Sequence, residues 1–259
     1  MYVKVTSCLL SYLRIPGVLQ RIALCYCVIS FTALFMNHKF IPALTFILLV
    51  SYTVILCMGN GYACDESNIL SIIDRQLFGE AHLYQKSPID PEGFVSTLSA
   101  IAHTCIGFSY GKWIIQSHQT ENKVLRLFLT GFILISIGYL LADALPLNKR
   151  IWSPTFVLVT CGAASMSLAT LMYYIDIRNK QKWCRFFIIF GVNPLFLYVL
   201  SEVLAIMMGS TGWKAAAYAA IHSGITDAYL RLSRLRPRFY SVLGVVGYPL
   251  YLKKIYIKL

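Results

Sequence analysis

Acidic side chains are scarce in this sequence. It holds 11 aspartates and glutamates in 259 residues, against 23 lysines and arginines, and charged residues of both signs make up 13% of the chain. Soluble domains carry about 25%. Apolar runs of roughly 20 residues are also too long and too numerous for the core helices of a soluble protein. These features argue against a soluble helical domain and for a polytopic transmembrane helical bundle, all-α in class. The sequence has no Walker-type phosphate loop, which argues against ATP-driven pumping, and no zinc-ligand spacing or Gly-x-Ser-x-Gly elbow. Nor does it show an internal repeat, a heptad array or a low-complexity tract, so one domain over 1–259 is the simplest description. Met1 to Tyr12 lack the basic-then-apolar pattern of a cleavable signal peptide.

The net charge of +12 would raise nucleic-acid binding in a soluble protein. Here the basic residues cluster at span ends, as in Arg178, Lys180, Lys182 and Arg185 and in Lys253, Lys254 and Lys258, where they snorkel to lipid headgroups. The expected partner is the bilayer, and nucleic acid is not expected. The eight cysteines form no metal or redox framework, since most fall in or beside apolar spans. Cys57 and Cys64 share a membrane face on this reading, as two free thiols or as a disulfide if that face is oxidising.

About seven spans are predicted: 16–36, 40–58, 94–115, 124–145, 154–175, 184–208 and 239–257. The stretch 209–238 reads as an interfacial or re-entrant segment followed by RLSRLRPR, which is too basic for a span. One long polar loop, 59–93, interrupts the apolar chain and holds Asp65, Glu66, Asp74, Glu80, Asp90 and Glu92. Lipid does not solvate unpaired carboxylates, so this loop belongs in water or beside a polar cavity. With the loop outside, most basic links and the C-terminal tail fall inside, although the RLSRLRPR arginines oppose that balance.

The loop gathers Asp74, Arg75, His82, Asp90 and Glu92. Histidine exchanges a proton near neutral pH, and a nearby carboxylate sets its tautomer. An ordinary ion pair at Asp74–Arg75 and a solvated His82 explain the same residues. In DPEG (90–93), Asp before Pro favours a turn and Pro suits a helix start. Glu92 then either caps the following helix or aims its charge into a cavity. That third span carries Ser96, Thr97, Ser99, His103 and Thr104, a face suited to protein or water. His103 either packs between helices or lines a substrate path. Arg21, one turn into the first span, snorkels or finds an anionic partner. Asn193–Pro194 interrupts the sixth span as a kink, and Glu202 near its end needs a partner if buried.

Several segments carry a resemblance: LRIPGVLQRIAL (13–24), IDRQLFGEAHLYQ (73–85), DPEGFVSTLSAI (90–101), NKRIWSPTFVLVTCG (148–162), GVNPLFLYVLSE (191–202) and LKKIYIKL (252–259). In this order they resemble the heparan-α-glucosaminide N-acetyltransferase family, and more closely a bacterial branch of it. The resemblance implies an integral protein of a bacterial inner membrane, with loop 59–93 outside and the C-terminus in the cytoplasm. It implies acetyl transfer from acetyl-CoA, as cosubstrate without a metal, to the amine of a glucosamine-type glycan across the membrane, and it leaves room for a homo-oligomer. On that basis Glu92, Asp90 and His82 are the candidate catalytic residues. Asp74, Arg75, His103 and Glu202 are assigned to the acceptor, and Arg21 and Lys112 to the phosphates of CoA.

The family's histidine motif precedes the RIPGVLQR segment, so neither His82 nor His103 inherits its role. The resemblance thus implies that the family's first spans are missing here and that the chain, as a fragment, is inactive or half of a site. A transporter or glycan-lipid binding protein is the alternative. The family pattern also departs at 231–247, where a locally shifted reading frame would produce the arginine-rich patch. An intact frame in independent reads of the gene would exclude that origin, and in-frame sequence upstream of Met1 would show the missing spans.

Overall fold

The computed structural model describes residues 14–84, 87–117, 119–212 and 244–257. These form helices and turns, with no strand among the described residues. They divide into two compact units at residues 178 and 179.

The first unit begins with α1 (Val18–Phe35), which starts at Gly17 directly after Pro16. A short 3-10 turn, His38–Phe40, leads into α2 (Ile41–Met58), where Pro42 occupies the first turn and loses no intrahelical hydrogen bond. The amphipathic α3 (Ile69–Phe78) follows: the Asn68 side chain caps it by accepting from the Leu70 N–H, and Gly79 ends it at φ 76°. Only glycine takes that backbone conformation without strain. The long helices α4 (Ser96–Gln116) and α5 (Thr120–Leu140) come next. In α6 (Pro154–Met172) Ser153 is the N-cap and Pro154 opens the helix, which continues into a π-helical turn at Tyr173–Ile177.

Helix α4 is central: it packs against α1, α2, α5 and α6. The most extensive pairing is α5 with α6. Their axes approach closely because Gly131 and Gly162 face each other. A methyl group on Gly131 would lie 2.8 Å from the Gly162 carbonyl oxygen, and one on Gly162 would lie 2.6 Å from that of Gly131. Small residues at such crossings let backbones make van der Waals contact where lipid offers no hydrophobic drive.

Segment 59–93, read from sequence as one long polar loop, is a folded cap. It contains α3 and a second 3-10 turn, Glu80–His82. Leu70 and Ile89 from this cap pack with Tyr52 and Leu56 of α2, Val95 and Ile151 in one buried cluster. The acidic side chains stand out in the sequence, but these alternating apolar positions hold the segment on the bundle.

The predicted span count also changes. Among the described residues four helical stretches are long and apolar enough to cross a membrane: Val18–Phe35, His38–Met58, Thr120–Leu140 and Pro154–Ile177. Counting the bent pair in the second unit as one span raises this to five. Their outward surfaces carry exposed Ile22, Phe31, Phe46, Phe132 and Ile133, as a lipid-facing bundle requires. Helix α4, the third predicted span, is not among them. It is 21 residues long, but its serines, threonines, His103 and Lys112 make it more polar.

In the second unit the predicted sixth span is two helices, α7 (Cys184–Val192) and α8 (Pro194–Ser210), meeting at 89°. Asn193 is more than a kink. Its amide donates to the Ile255 carbonyl and accepts from the Ile257 N–H, fastening the segment after the helical residues 244–252. The basic RLSRLRPR stretch lies outside the described residues.

Gly162→Ala should lower the melting temperature in detergent by a few degrees, because overpacking costs about 1–3 kcal/mol. Gly107→Ala is the control. A methyl group there meets nothing within 4 Å and should leave stability unchanged or slightly higher.

Candidate functional site

The DPEG turn is fixed by its first residue. Asp90 accepts from the Glu92 N–H and the Tyr84 N–H, each at 2.9 Å, and from Arg14 Nη2 at 2.7 Å. The same Arg14 nitrogen donates to Glu92, and the guanidinium lies 4.8 Å from the centre of the Tyr84 ring. Both carboxylates therefore share one cation. Asp90 is almost fully buried and its oxygens are committed to the turn, so it acts as a positioning residue. Arg14 was not singled out from sequence. Its partners are 76 and 78 residues away, and no local pattern links them.

Asp74 lies beneath this turn on the buried face of α3. Its Oδ1 accepts from the Phe94 N–H at 2.9 Å, while its Oδ2 has no hydrogen-bond partner among the described residues. Burial pushes its pKa up to about 6. The Phe94 hydrogen bond and the charge of Arg21 oppose the shift, and the charge of Asp90 adds to it. Gly93 is required by this carboxyl: a methyl group there would sit 1.9 Å from Asp74 Oδ2.

Arg21 does not snorkel. Its side chain is buried and turned toward the start of α4, where Nη2 donates to the Gly93 carbonyl at 3.1 Å and to the Ser96 hydroxyl. Ser96 and Thr97 donate to the same carbonyl, so that oxygen joins α1 to the first turn of α4. Ser99 and His103 continue the α4 face at one and two turns from Ser96. Trp152, from the turn before α6, places its ring 5.2 Å from the Arg21 guanidinium carbon and 6.0 Å from the His103 ring. The Tyr52 hydroxyl holds that turn through the Ile151 carbonyl. Trp152 is a site residue that sequence reasoning does not reach; its one signal is a tryptophan beside a helix-capping Ser-Pro.

The remaining candidates separate. Arg75 faces the outer surface, paired with Glu66 at 3.0 Å and Glu80 at 3.8 Å, and it holds the Glu66 carboxyl below its usual range. It lines a polar cleft of about 350 Å³ with Glu66, Glu80, Tyr84, Ser87 and Asp90. His82 is half-buried in the 3-10 turn Glu80–His82, and its carbonyl accepts from the Ile15 N–H. Lys112 lies sixteen residues after Ser96 on α4, or ~24 Å along the axis from the end that Arg21 contacts. Glu202 is exposed on α8 in the second unit. Among the described residues no group of three His, Cys, Asp or Glu side chains is arranged to hold a metal.

Two predictions follow from Asp74 and Gly93. Asp74 has a folded-state pKa of about 6, above its ordinary 3.8, so the folded protein binds this proton more tightly than the unfolded chain. Its contribution to stability therefore falls as pH rises from near 4 to near 6. Asp74→Asn, which keeps an acceptor for Phe94, should remove that slope from melting temperatures measured across this window. Gly93→Ala should displace the carboxyl, leave the Phe94 N–H unpaired and cost about 1–3 kcal/mol in denaturant unfolding.

No protein-family model matches the chain. Two curated proteins are similar to it. Heparan-α-glucosaminide N-acetyltransferase from Mus musculus is 26% identical over 248 aligned residues, covering 74% of this chain and 38% of the mouse protein. The protein of that name from Homo sapiens is 27% identical over 148 residues, covering 51% of this chain and 22% of its own length. The chain thus spans well under half the length of the curated relatives it matches. With the apolar helices, this distant similarity supports a membrane acyltransferase-like protein.

Proposed function

We propose that this chain belongs to the catalytic apparatus of a membrane acyltransferase that passes an acetyl group from acetyl-CoA to the amine of an amino sugar in a glycan. The observation that carries this reading is Asp74: a buried carboxyl with one unpartnered oxygen and a pKa of about 6, near a buried arginine and beneath the DPEG turn. An amine attacks only as the free base, and general bases work best with a pKa near the working pH. In the transfer, the amine nitrogen bonds to the thioester carbonyl carbon, the carbon–sulfur bond breaks, and CoA leaves as the thiolate. The amine proton passes to a base, the role assigned here to Asp74.

Asp90 and Arg14 hold the turn, and Glu92 and Arg75 contribute charge toward an acceptor at the cleft. His82, in the 3-10 turn of the same cap, is assigned to the acceptor side. Lys112, at the opposite end of α4 from Arg21, suits a CoA phosphate delivered from the other face of the membrane. The similarity to the two N-acetyltransferases supports the reaction class. The acceptor, the cosubstrate, a bacterial inner-membrane location with the cap outside, and any homo-oligomer are parts of the proposal.

A second reading is a sugar or glycan-lipid transporter. The 89° break between α7 and α8, at a capped Asn-Pro, favours it, because broken helices line transport sites. The two readings separate in one experiment. The purified full-length gene product is given radiolabelled acetyl-CoA and glucosamine. The acyltransferase reading expects label in the sugar and a fall in kcat of ~100-fold or more for Asp74→Asn. Absence of transfer together with sugar uptake in vesicles would reverse the ranking.

A further inference from the structure

A recess opens in the side of the first unit, where the cap meets the helices. Its volume is about 670 Å³, and its walls include Leu24 and Val28 of α1, Ile55 of α2, Ile69 and Ile73 of α3, and Phe94. Among its lining residues Thr97 has the only polar side chain, and that hydroxyl already donates to the Gly93 carbonyl at 3.0 Å. Gly59 also lines the recess, and its backbone is paired: its N–H donates to the Ile55 carbonyl, and its carbonyl accepts from the Ile69 N–H. The lining side chains offer no open donor or acceptor, so water gains no partners from them.

The recess faces lipid. Leu24, Val28, Met58 and Phe94 on its walls are exposed, and α1 and α2 are both long and apolar enough to cross a membrane. Its depth follows from helix geometry. The N-terminal end of α1 meets the cap, through the Ile15 N–H on the His82 carbonyl and through Arg14 on Asp90. Leu24 and Val28 lie six and ten residues beyond Val18, or ~9 and ~15 Å along the axis. A hydrocarbon core of ~30 Å gives each leaflet ~15 Å. The recess therefore runs from the cap to the level of the bilayer midplane. At its upper end α3 contributes Ile69 and Ile73, one turn apart on an amphipathic helix, the form that lies in a membrane interface.

Chemistry and shape decide what the recess accepts. Left empty, an apolar slot forfeits dispersion contacts along its whole lining. A flexible hydrocarbon chain restores them, and in a leaflet it already runs along the helices. A sugar or a nucleotide does not fit this wall, because its hydroxyls or phosphates would be buried without partners.

We infer that this recess is a binding site for one hydrocarbon chain of a lipid from the leaflet on the cap side. The chain lies beside Leu24 and Val28, and its polar end rises to the level of α3. Sugar and CoA are not its ligands, so the site does not depend on acyl transfer.

The test uses the purified full-length protein at a fixed detergent concentration, with a phosphatidylcholine that carries a photoactivatable diazirine in one acyl chain. Labelling is expected to saturate, to be displaced by unlabelled phosphatidylcholine, and to map to peptides containing residues 24–28 and 55–58. Leu24→Trp fills the recess and should remove most of this labelling. Ile22→Trp adds bulk at an exposed position of α1 that does not line the recess, and should leave labelling unchanged. Should Leu24→Trp fail to fold, Val28→Phe supplies the same reading. A photoreactive benzoylphenylalanine introduced at Leu24 in native membranes should capture lipid. Labelling that does not saturate, that spreads evenly over the exposed faces of α1 and α2, or that persists in both Leu24→Trp and Val28→Phe would overturn the inference. Capture of another segment of this chain, or of a second copy of it, at Leu24 would do the same.

Discussion

Burial of the Arg21 guanidinium is the constraint around which the first unit is organised. An arginine within a membrane helix is costly to bury, and it persists where protein groups replace water. Here the replacement is the first turn of α4, whose Gly93 carbonyl and Ser96 hydroxyl accept from Arg21. Helices α1 and α4 are thereby registered by a polar contact in a bundle where lipid and side chains are equally apolar. The sequence alone left the choice between snorkelling and burial open, and that choice depends on what faces the residue across the bundle.

The second organising element is the cap over 59–93. Its acidic residues are divided by environment. Asp90 and Glu92 share Arg14, while Asp74 has no ion-pair partner among the described residues and its pKa is raised by burial. The physical difference is one of partners: Asp90 and Glu92 are ion-paired, whereas Asp74 is buried with one hydrogen bond, and burial raises its pKa.

The legible parts of this protein were those carried by local pattern. Apolar runs gave the membrane helices, Pro16–Gly17 and Ser153–Pro154 marked helix starts, and DPEG gave the turn before α4. The polar face of α4 was readable from the spacing of Ser96, Ser99 and His103. The misreadings were long-range ones. The cap was taken for a loop because its apolar positions, Leu70 and Ile89, reveal themselves only when packed on Tyr52 and Leu56. Arg14 carries no local signal and Trp152 little, because their partners are distant in sequence.

Composition and hydropathy by themselves determined that this chain is a helical membrane protein with ionisable groups concentrated beside its helices, because a bilayer admits little else at this charge density. The tertiary structure decided which of those groups face one another. Ion pairing and desolvation depend on distances of a few ångströms between residues far apart in sequence, so the buried, unpartnered oxygen of Asp74 and the unpartnered polar atoms around Trp152 exist only in the folded bundle.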